Sequence, residues 1–589
     1  VSTGSAWTTS LTAPSGAIVG TTDVQTLTNK TISGASNTLS NIGNSSLTYS
    51  SITVNGTAIS LGGSGTINGN VFVRGDPIEY NRWRDQGCAG WGYDDLLPYF
   101  KKLEDCPDGD PAVRGRGGPM HCTVIKDFDE LSKAYWMACK EAGYRQSPDY
   151  NGGDYEGAYH SQYSTRDGLR CSSSIAYLRP VAHRPNLSIL SGAIATRVLL
   201  DGKRATGVEL RLGDAVLRAR ARREVALTAG PLASPKLLEL SGIGNSEILR
   251  EHGIATVQHL PGVGENMQDH PNIRMTFECA KPITINDVLR SPWIKLREGI
   301  RFLFTRKGML SIASGSSAMN VRSRPDAPQT DLVIRMHLFS GKDRSARTIK
   351  TGLDPFPGFG IGVTLLHPQS IGYVHIKSAD PLVFPRIDPR YMSNESDVRV
   401  MIDGARMARH IAQMPSMKAV TVRETRPGPG VQDDAGLLEY IKGNAGTSWH
   451  AAGTCKMGID HAAVVDPQLR VRGLERLRVV DSSICPTLSS SNTNIPTIAI
   501  AEKGPVICPL DGPGPILGPQ FREVMIGHDP ITLVVGSIVG VQRARRPVRR
   551  GFGLQLGEVG VRGVREASGG NPTRLETRRL HRVERNEVR

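Results

Sequence analysis

The sequence predicts a mixed α/β fold, and three observations carry that prediction. Arg223-Glu224-Val225-Ala226-Leu227-Thr228-Ala229-Gly230 reads as a buried strand ending in a tight turn, and Ser234-Pro235 then opens a helix. Gly362 to Pro368 and Gly372 to Lys377 read as adjacent strands, with a helix following over Asp397 to Met414. Apolar residues make up 39% of the chain and charged residues 22%, which is enough to bury a core and excludes a wholly disordered or collagen-like chain. A length of 589 residues suggests two to four domains.

Composition divides the chain into three. Residues 1–60 hold two aromatics, Trp7 and Tyr49, and one residue of each charge sign, Asp23 and Lys30. In residues 509–589 the aromatics are Phe521 and Phe552, and every base is Arg. The middle holds the remaining aromatics, so a core is expected there. The net charge of +15 is spread along the chain without aromatic interleaving, which argues against nucleic-acid binding. Nine cysteines without a C-x-x-C pair argue against a zinc ribbon or a disulfide framework, so no metal site is expected. The first 20 residues lack a basic start with an apolar run, and Ile531 to Val541 is too short to span a bilayer. The expected location is cytoplasmic, with membrane association left open.

In the first segment, short alternating runs such as Ser51-Ile52-Thr53-Val54 precede the turn dipeptide Asn55-Gly56. This reads as a short β-rich head, and Gln25-Thr26-Leu27-Thr28-Asn29-Lys30-Thr31-Ile32 resembles phage tail-fibre repeats. A flexible Ser/Thr linker is the alternative.

The texture changes at Leu61-Gly62-Gly63-Ser64-Gly65-Thr66-Ile67-Asn68-Gly69. Closely spaced glycines expose backbone N–H groups and let the chain approach a phosphate. Downstream, the strand, tight turn and helix N-terminus of 223–240 make a natural dinucleotide site. From Gly230-Pro231 through Ser234-Pro235-x-Leu237-Leu238 to Ser241-Gly242-Ile243-Gly244, the residues resemble a signature of the glucose-methanol-choline (GMC) oxidoreductase family. Ala195-Thr196-Arg197-Val198 is similar to that family's adenine-contacting strand, and Gly262 through His270 to its next block. His270 reads there as structural rather than catalytic. The resemblance implies an FAD-dependent enzyme with Rossmann-like and substrate-binding parts. It implies cofactor contacts at Ser64, Asn68, Gly69, Asn70, Val71, Ala195, Gly230, Asp481, Asn494 and Pro496.

The segment 449–504 holds Trp449-His450, Gly453-Thr454-Cys455-Lys456-Met457-Gly458, Leu477-Arg478-Val479-Val480-Asp481 and Asn492-Thr493-Asn494-Ile495-Pro496, followed by a helix ending at Gly504. It resembles the family's C-terminal active-site segment. The resemblance places His450 at the catalytic base and Asn492 at its partner. The chemistry suits an alcohol, a poor hydride donor until its O–H proton leaves, and a neutral imidazole can take that proton. The implied activity is oxidation of a CH–OH group, closest to choline-dehydrogenase-like members. A small alcohol is the expected substrate, and the electron acceptor is not readable.

The expected boundaries are 1–60 for the head, 61–275 for an incomplete FAD-binding part and 276–440 for the substrate-binding part. The active-site part is 441–507 and the Arg-rich tail, read as disordered, is 508–589. No complete G-x-G-x-x-G is present, since Gly63-x-Gly65-x-x-Asn68 fails at its last position. This leaves an N-terminally truncated Rossmann-like unit and predicts that FAD binds poorly or not at all. The rival readings are a non-functional chimera and a tail-fibre-like interaction protein.

Overall fold

The computed structural model describes residues 51–54, 57–60, 69–126, 128–184, 187–311, 315, 317–342, 352–507 and 532–536. Ser64, Asn68, the tail-fibre-like stretch 25–32 and most of the Arg-rich tail lie outside the described residues.

Ser51–Val54 and Thr57–Ser60 pair antiparallel, with Ser51 opposite Ser60 and Val54 opposite Thr57. The two residues between the strands are the expected Asn-Gly pair.

One core surrounds a parallel sheet whose middle strand is Glu224–Thr228. Val225 lies opposite Leu477 of the strand Leu477–Val479 on one side and opposite Leu533 of Thr532–Gly536 on the other. The last strand belongs to the stretch read as having no fold. Its Thr-Leu-Val-Val-Gly sequence is β-branched and apolar, which suits a sheet position. Val225 and Leu227 are fully buried. The helix Ser234–Leu240 follows, and against it lies Ala193–Asp201, first strand of a three-stranded antiparallel ribbon with Arg204–Leu212 and Ala215–Arg220. The Ser241 hydroxyl accepts from Val198 N–H at 2.8 Å, which ties the ribbon to the end of the helix.

The second core lies under a seven-stranded antiparallel sheet. Along its path run Thr421–Arg426, Pro271–Cys279, Gly358–Leu365, Leu332–His337, Ser317–Val321 and Gly157–His160, and the two-residue Gly446–Thr447 pairs with the start of Pro271–Cys279. The helix Glu395–Ala412 covers one face, with Met401, Ala405, Ala408 and Ile411 buried against Ile361 and Val363. Asn394 caps it by accepting from Ser396 N–H. Helix and sheet approach closely at Gly404, where a Cβ would sit 2.5 Å from Val363 Cγ1.

One expectation is corrected here. Gly358–Leu365 is interior to the large sheet, but Tyr373–His375 is not its neighbour. It pairs instead with Arg386–Asp388 in a separate ribbon, and Val374 N–H donates to Gly264 O at 2.7 Å. Pro368 has no N–H for a ladder. The next two amides, of Gln369 and Ser370, donate to the Asp397 carboxylate at 2.8 Å each, which turns the chain out of the sheet.

Candidate active site

His450 follows the two-residue strand Gly446–Thr447 through a turn in which Trp449 adopts φ +60°. One buried carboxylate holds that turn. Asp269 Oδ1 accepts the His450 N–H at 2.9 Å, and Oδ2 accepts the hydroxyls of Tyr391, at 2.5 Å, and Thr447. Burial pushes the Asp269 carboxyl up, and these bonds partly offset that rise.

The half-buried ring of His450 is bonded on both nitrogens. Nδ1 lies 3.0 Å from His270 Nδ1, and Nε2 lies 2.9 Å from Asn492 Nδ2. The protons can be placed from the far end. His270 Nε2 lies 3.1 Å from Leu366 O, which can only accept, so Nε2 carries the proton. Burial and the neighbouring rings of His450 and His367 hold His270 well below the ordinary imidazole range, so it is neutral and its Nδ1 is an acceptor. With His270 in that tautomer, the His450 Nδ1–H donates to it. His450 Nε2 is left with a lone pair, which accepts from the Asn492 amide. Burial, with the Arg335 charge in second place, pushes His450 down to about 3. At neutral pH the ring is an uncharged acceptor.

His270 thus touches the expected base, a role its sequence block alone did not reveal. Asp269 was not singled out, although it occupies the same block. Both act across about 180 residues of chain, and no local spacing marks such a pairing.

Asn494 starts the helix Asn494–Ile507, and Pro496 lies in its first turn. The helix continues past Gly504 to Ile507. Its positive end thus follows directly on Asn492. At the other expected contact, Gly230 has φ +81°. Its N–H donates to Asp481 Oδ2 at 2.8 Å, and the Ser234 hydroxyl donates to the same oxygen at 2.6 Å. Asp481 Oδ1 accepts from Ser483 N–H at 2.8 Å. The carboxylate therefore clamps strand, turn and helix together. Ala195 sits at a register shift between residues 195 and 197, where the strand backbone is freed from its ladder. Asn70 has φ +59°, and its carbonyl accepts from Ser164 N–H at 2.7 Å. Val71 is buried against Tyr163, and Gly69 is exposed with open space around its Cα.

These residues suit a flavin dinucleotide. A helix N-terminus beside the His450–Asn492 pair favours negative charge at the flavin end, and the clamped turn at Gly230 with the bulged strand at Ala195 offers main chain at the nucleotide end.

No metal-ligand spacing is visible in the sequence, but the fold brings Glu104, Cys106 and Cys122 within 4.8 Å of one another at their ligand atoms. Both Glu104 oxygens are already taken by the Arg74 and Arg114 guanidiniums, so a cation would meet two positive charges there. The eight cysteines among the described residues are all free and buried.

A strand–turn–helix suited to a dinucleotide, together with an imidazole–amide pair, is an arrangement compatible with an oxidoreductase. The GMC oxidoreductase family model matches this chain twice, its N-terminal part over residues 10–272 and its C-terminal part over residues 368–501. The chain belongs to the GMC oxidoreductase family and is an FAD-dependent oxidoreductase. An oxygen-dependent choline dehydrogenase of Vibrio vulnificus is 39% identical over 450 residues, covering 75% of this chain and 79% of the relative. The mitochondrial choline dehydrogenase of Mus musculus is 37% identical over 446 residues, covering 75% and 74%. Among solved structures, pyridoxine 4-oxidase from Mesorbium loti superposes with a TM-score of 0.66 at 28% identity, covering 74% of this chain and 81% of the other. An FAD-dependent oxidoreductase from Chaetomium thermophilum gives 0.69 at 25% identity, covering 77% and 87%. No helix among the described residues is long and apolar enough to cross a membrane.

Proposed function

We propose that this chain oxidises the CH–OH group of a small alcohol, with His450 as the proton acceptor and Asn492 as the group that orients the alcohol oxygen. The observation that carries this reading is the hydrogen-bond chain from Leu366 O through His270 and His450 to Asn492, because it leaves the basic lone pair on His450 Nε2. FAD, when bound, would supply the acceptor for the hydride, which carries both electrons of the oxidation. The residues of the chain do the rest. The substrate hydroxyl replaces the Asn492 amide on His450 Nε2 and passes its proton there. Asn492 then donates to the alcohol oxygen and fixes its approach. The bonds from Asp269 and His270 hold the imidazole so that no ring rotation is needed during proton transfer. By the family resemblance, Ser64, Asn68 through Val71, Ala195, Gly230, Asp481, Asn494 and Pro496 hold the cofactor.

Arg335 narrows the substrate. It belongs to the strand Leu332–His337, it has no carboxylate partner among the described residues, and its Nε is buried without a hydrogen bond. A permanently cationic alcohol would be repelled by this charge near His450, a neutral one would be indifferent to it and an anionic one would be attracted.

The test is turnover by the purified chain, with FAD added, on a neutral, a carboxylate-bearing and a quaternary-ammonium alcohol. His450→Ala is expected to abolish turnover while protein yield and melting temperature are retained. Unchanged turnover in that variant would remove His450 from the mechanism. A wild-type preference for the quaternary-ammonium alcohol would remove Arg335 from the reading of substrate. Flavin bound without turnover on any alcohol would favour a non-functional chimera.

A further inference from the structure

The helix Pro292–Thr305 presents its apolar side to solvent. Its start is well formed, with Pro292 in the first turn and the Ser291 hydroxyl accepting from Ile294 N–H at 3.4 Å. The face turned to the protein carries Ile294, Glu298 and Phe302, spaced by four, and Glu298 is buried. Trp293, Leu296, Ile300, Leu303 and Phe304 lie on the opposite face at intervals of three and four. All five are exposed, Trp293 at 79% and Phe304 at 80%. An amphipathic surface helix ordinarily buries that stripe against its own core. Contiguous exposed apolar faces of this kind mark sites of attachment.

The charges beside the stripe have one sign. Arg290, Lys295, Arg297, Arg306 and Lys307 are all exposed, and the helix's single acid, Glu298, is paired inward with Arg297 at 3.3 Å. At the C-terminal end, Gly168 packs against the Arg306 main chain. That contact brings up the tip of the hairpin Thr165–Arg170, with Leu169 51% exposed and one acid, Asp167.

We infer that this helix docks the protein peripherally on an anionic membrane surface, with Trp293, Leu296, Ile300, Leu303 and Phe304 entering the headgroup boundary and the flanking bases resting on lipid phosphates. An apolar face with Trp and Phe, bordered by Lys and Arg, is the composition of a helix that lies in the plane of the interface. The same charges argue against a second copy of this chain as the occupant, because a two-fold contact through the stripe would set base against base.

The experiment is co-sedimentation of the full chain with phosphatidylcholine vesicles, either pure or containing about 30% phosphatidylglycerol. Wild type is expected to sediment with the anionic vesicles, to be released at about 1 M salt, and to show blue-shifted Trp fluorescence on binding. The double variant Trp293→Ser/Phe304→Ser should lose at least about tenfold in apparent affinity while keeping its melting temperature, because both side chains are already in water. Lys295→Glu/Lys307→Glu should weaken binding to anionic vesicles alone. Wild type that ignores both vesicles would overturn the inference, as would a double variant that binds like wild type. It would also fail if wild type sediments as a dimer that Trp293→Ser/Phe304→Ser dissolves with vesicle binding unchanged.

Discussion

His270 shows how much a single buried side chain can decide. The sequence marked it as structural, and it does pack fully buried, but it also accepts from His450 Nδ1–H and so dictates which nitrogen of His450 is basic. Under the proposed mechanism that makes it a positioning residue. Replacing such a partner ordinarily costs about 10–100-fold in activity. His270→Phe should lower kcat by about that factor, with KM changed less, because the ring can then flip or take the other tautomer. His270→Asn should recover part of the loss, since its Oδ1 can accept the same proton. Steady-state kinetics on the three proteins check this. Equal kcat in His270→Phe and wild type would sink the tautomer argument, and equal losses in both variants would point to packing alone. At this scale local blocks of the sequence are enough to offer His450, Asn492 and Gly230 as candidates. Their bonds are not legible there, because each joins segments far apart in the chain.

Elements were legible where local signals agree. The helix Glu395–Ala412 combines an Asn394 cap, acids in its first turn and bases in its last, all visible in the sequence. The strand Tyr373–His375 was equally visible as an element, but its partner was not. Strand pairing depends on where the chain turns, and here the Asp397 carboxylate, 27 and 28 residues away, decides it. Thr532–Gly536 stands out less, because its apolar run Ile531 to Val541 is short and lies within a Gly- and Arg-rich stretch. Helix glycines give a sharper test at this scale, since one substitution should act with opposite signs at two sites. Gly→Ala inside a helix ordinarily gains about 1 kcal/mol. At Gly299, in the exposed helix Pro292–Thr305, a Cβ would meet nothing within 4 Å, so Gly299→Ala should raise stability by up to that amount. At Gly404 the Cβ would press on Val363 Cγ1 at 2.5 Å and Leu332 Cδ1 at 3.0 Å. Both are core side chains, and a β-branched Val in a strand has little freedom to move. Overpacking costs about 1–3 kcal/mol, so Gly404→Ala should be net destabilising. Thermal melts of the two variants beside wild type decide it, and a stabilised Gly404→Ala would mean that the helix rides further from the sheet.

Across the whole molecule, several imidazoles are kept neutral, and this fixes how stability responds to acid. Burial pushes His160 and His367 down to about 4, the latter with help from the Arg82 charge. His450 is held at about 3, and His270 also lies well below the ordinary range. An unfolded histidine titrates near ~6.5. Between that value and about 4 the unfolded chain therefore binds protons that the folded chain refuses, and stability must fall as pH falls. Each pKa unit is worth about 1.4 kcal/mol before solvent screening, which discounts the half-buried His160 and His450. Even a few kcal/mol summed over four rings is a large share of a typical stability of about 5–15 kcal/mol. Asp76, Glu79 and Asp269, raised mainly by burial, act in the opposite sense, but only as pH approaches the carboxylate range. His375 works on the other flank. Burial alone would lower it, but its bonds to Glu239 at 2.7 Å and Glu265 at 3.0 Å outweigh burial and raise it to about 9. That contribution is complete below ~6.5 and is lost as pH rises through about 9. The stability maximum should therefore fall near pH ~6.5–7.5, with a steeper loss on the acid side. Chemical denaturation at several pH values across ~4.5–9 measures the curve. His160→Gln should flatten its acid limb, because Gln can still bond the Ser317 hydroxyl that now lies 2.9 Å from His160 Nδ1, without titrating. An acid limb as flat in wild type as in that variant would mean that these rings take up protons in the folded state.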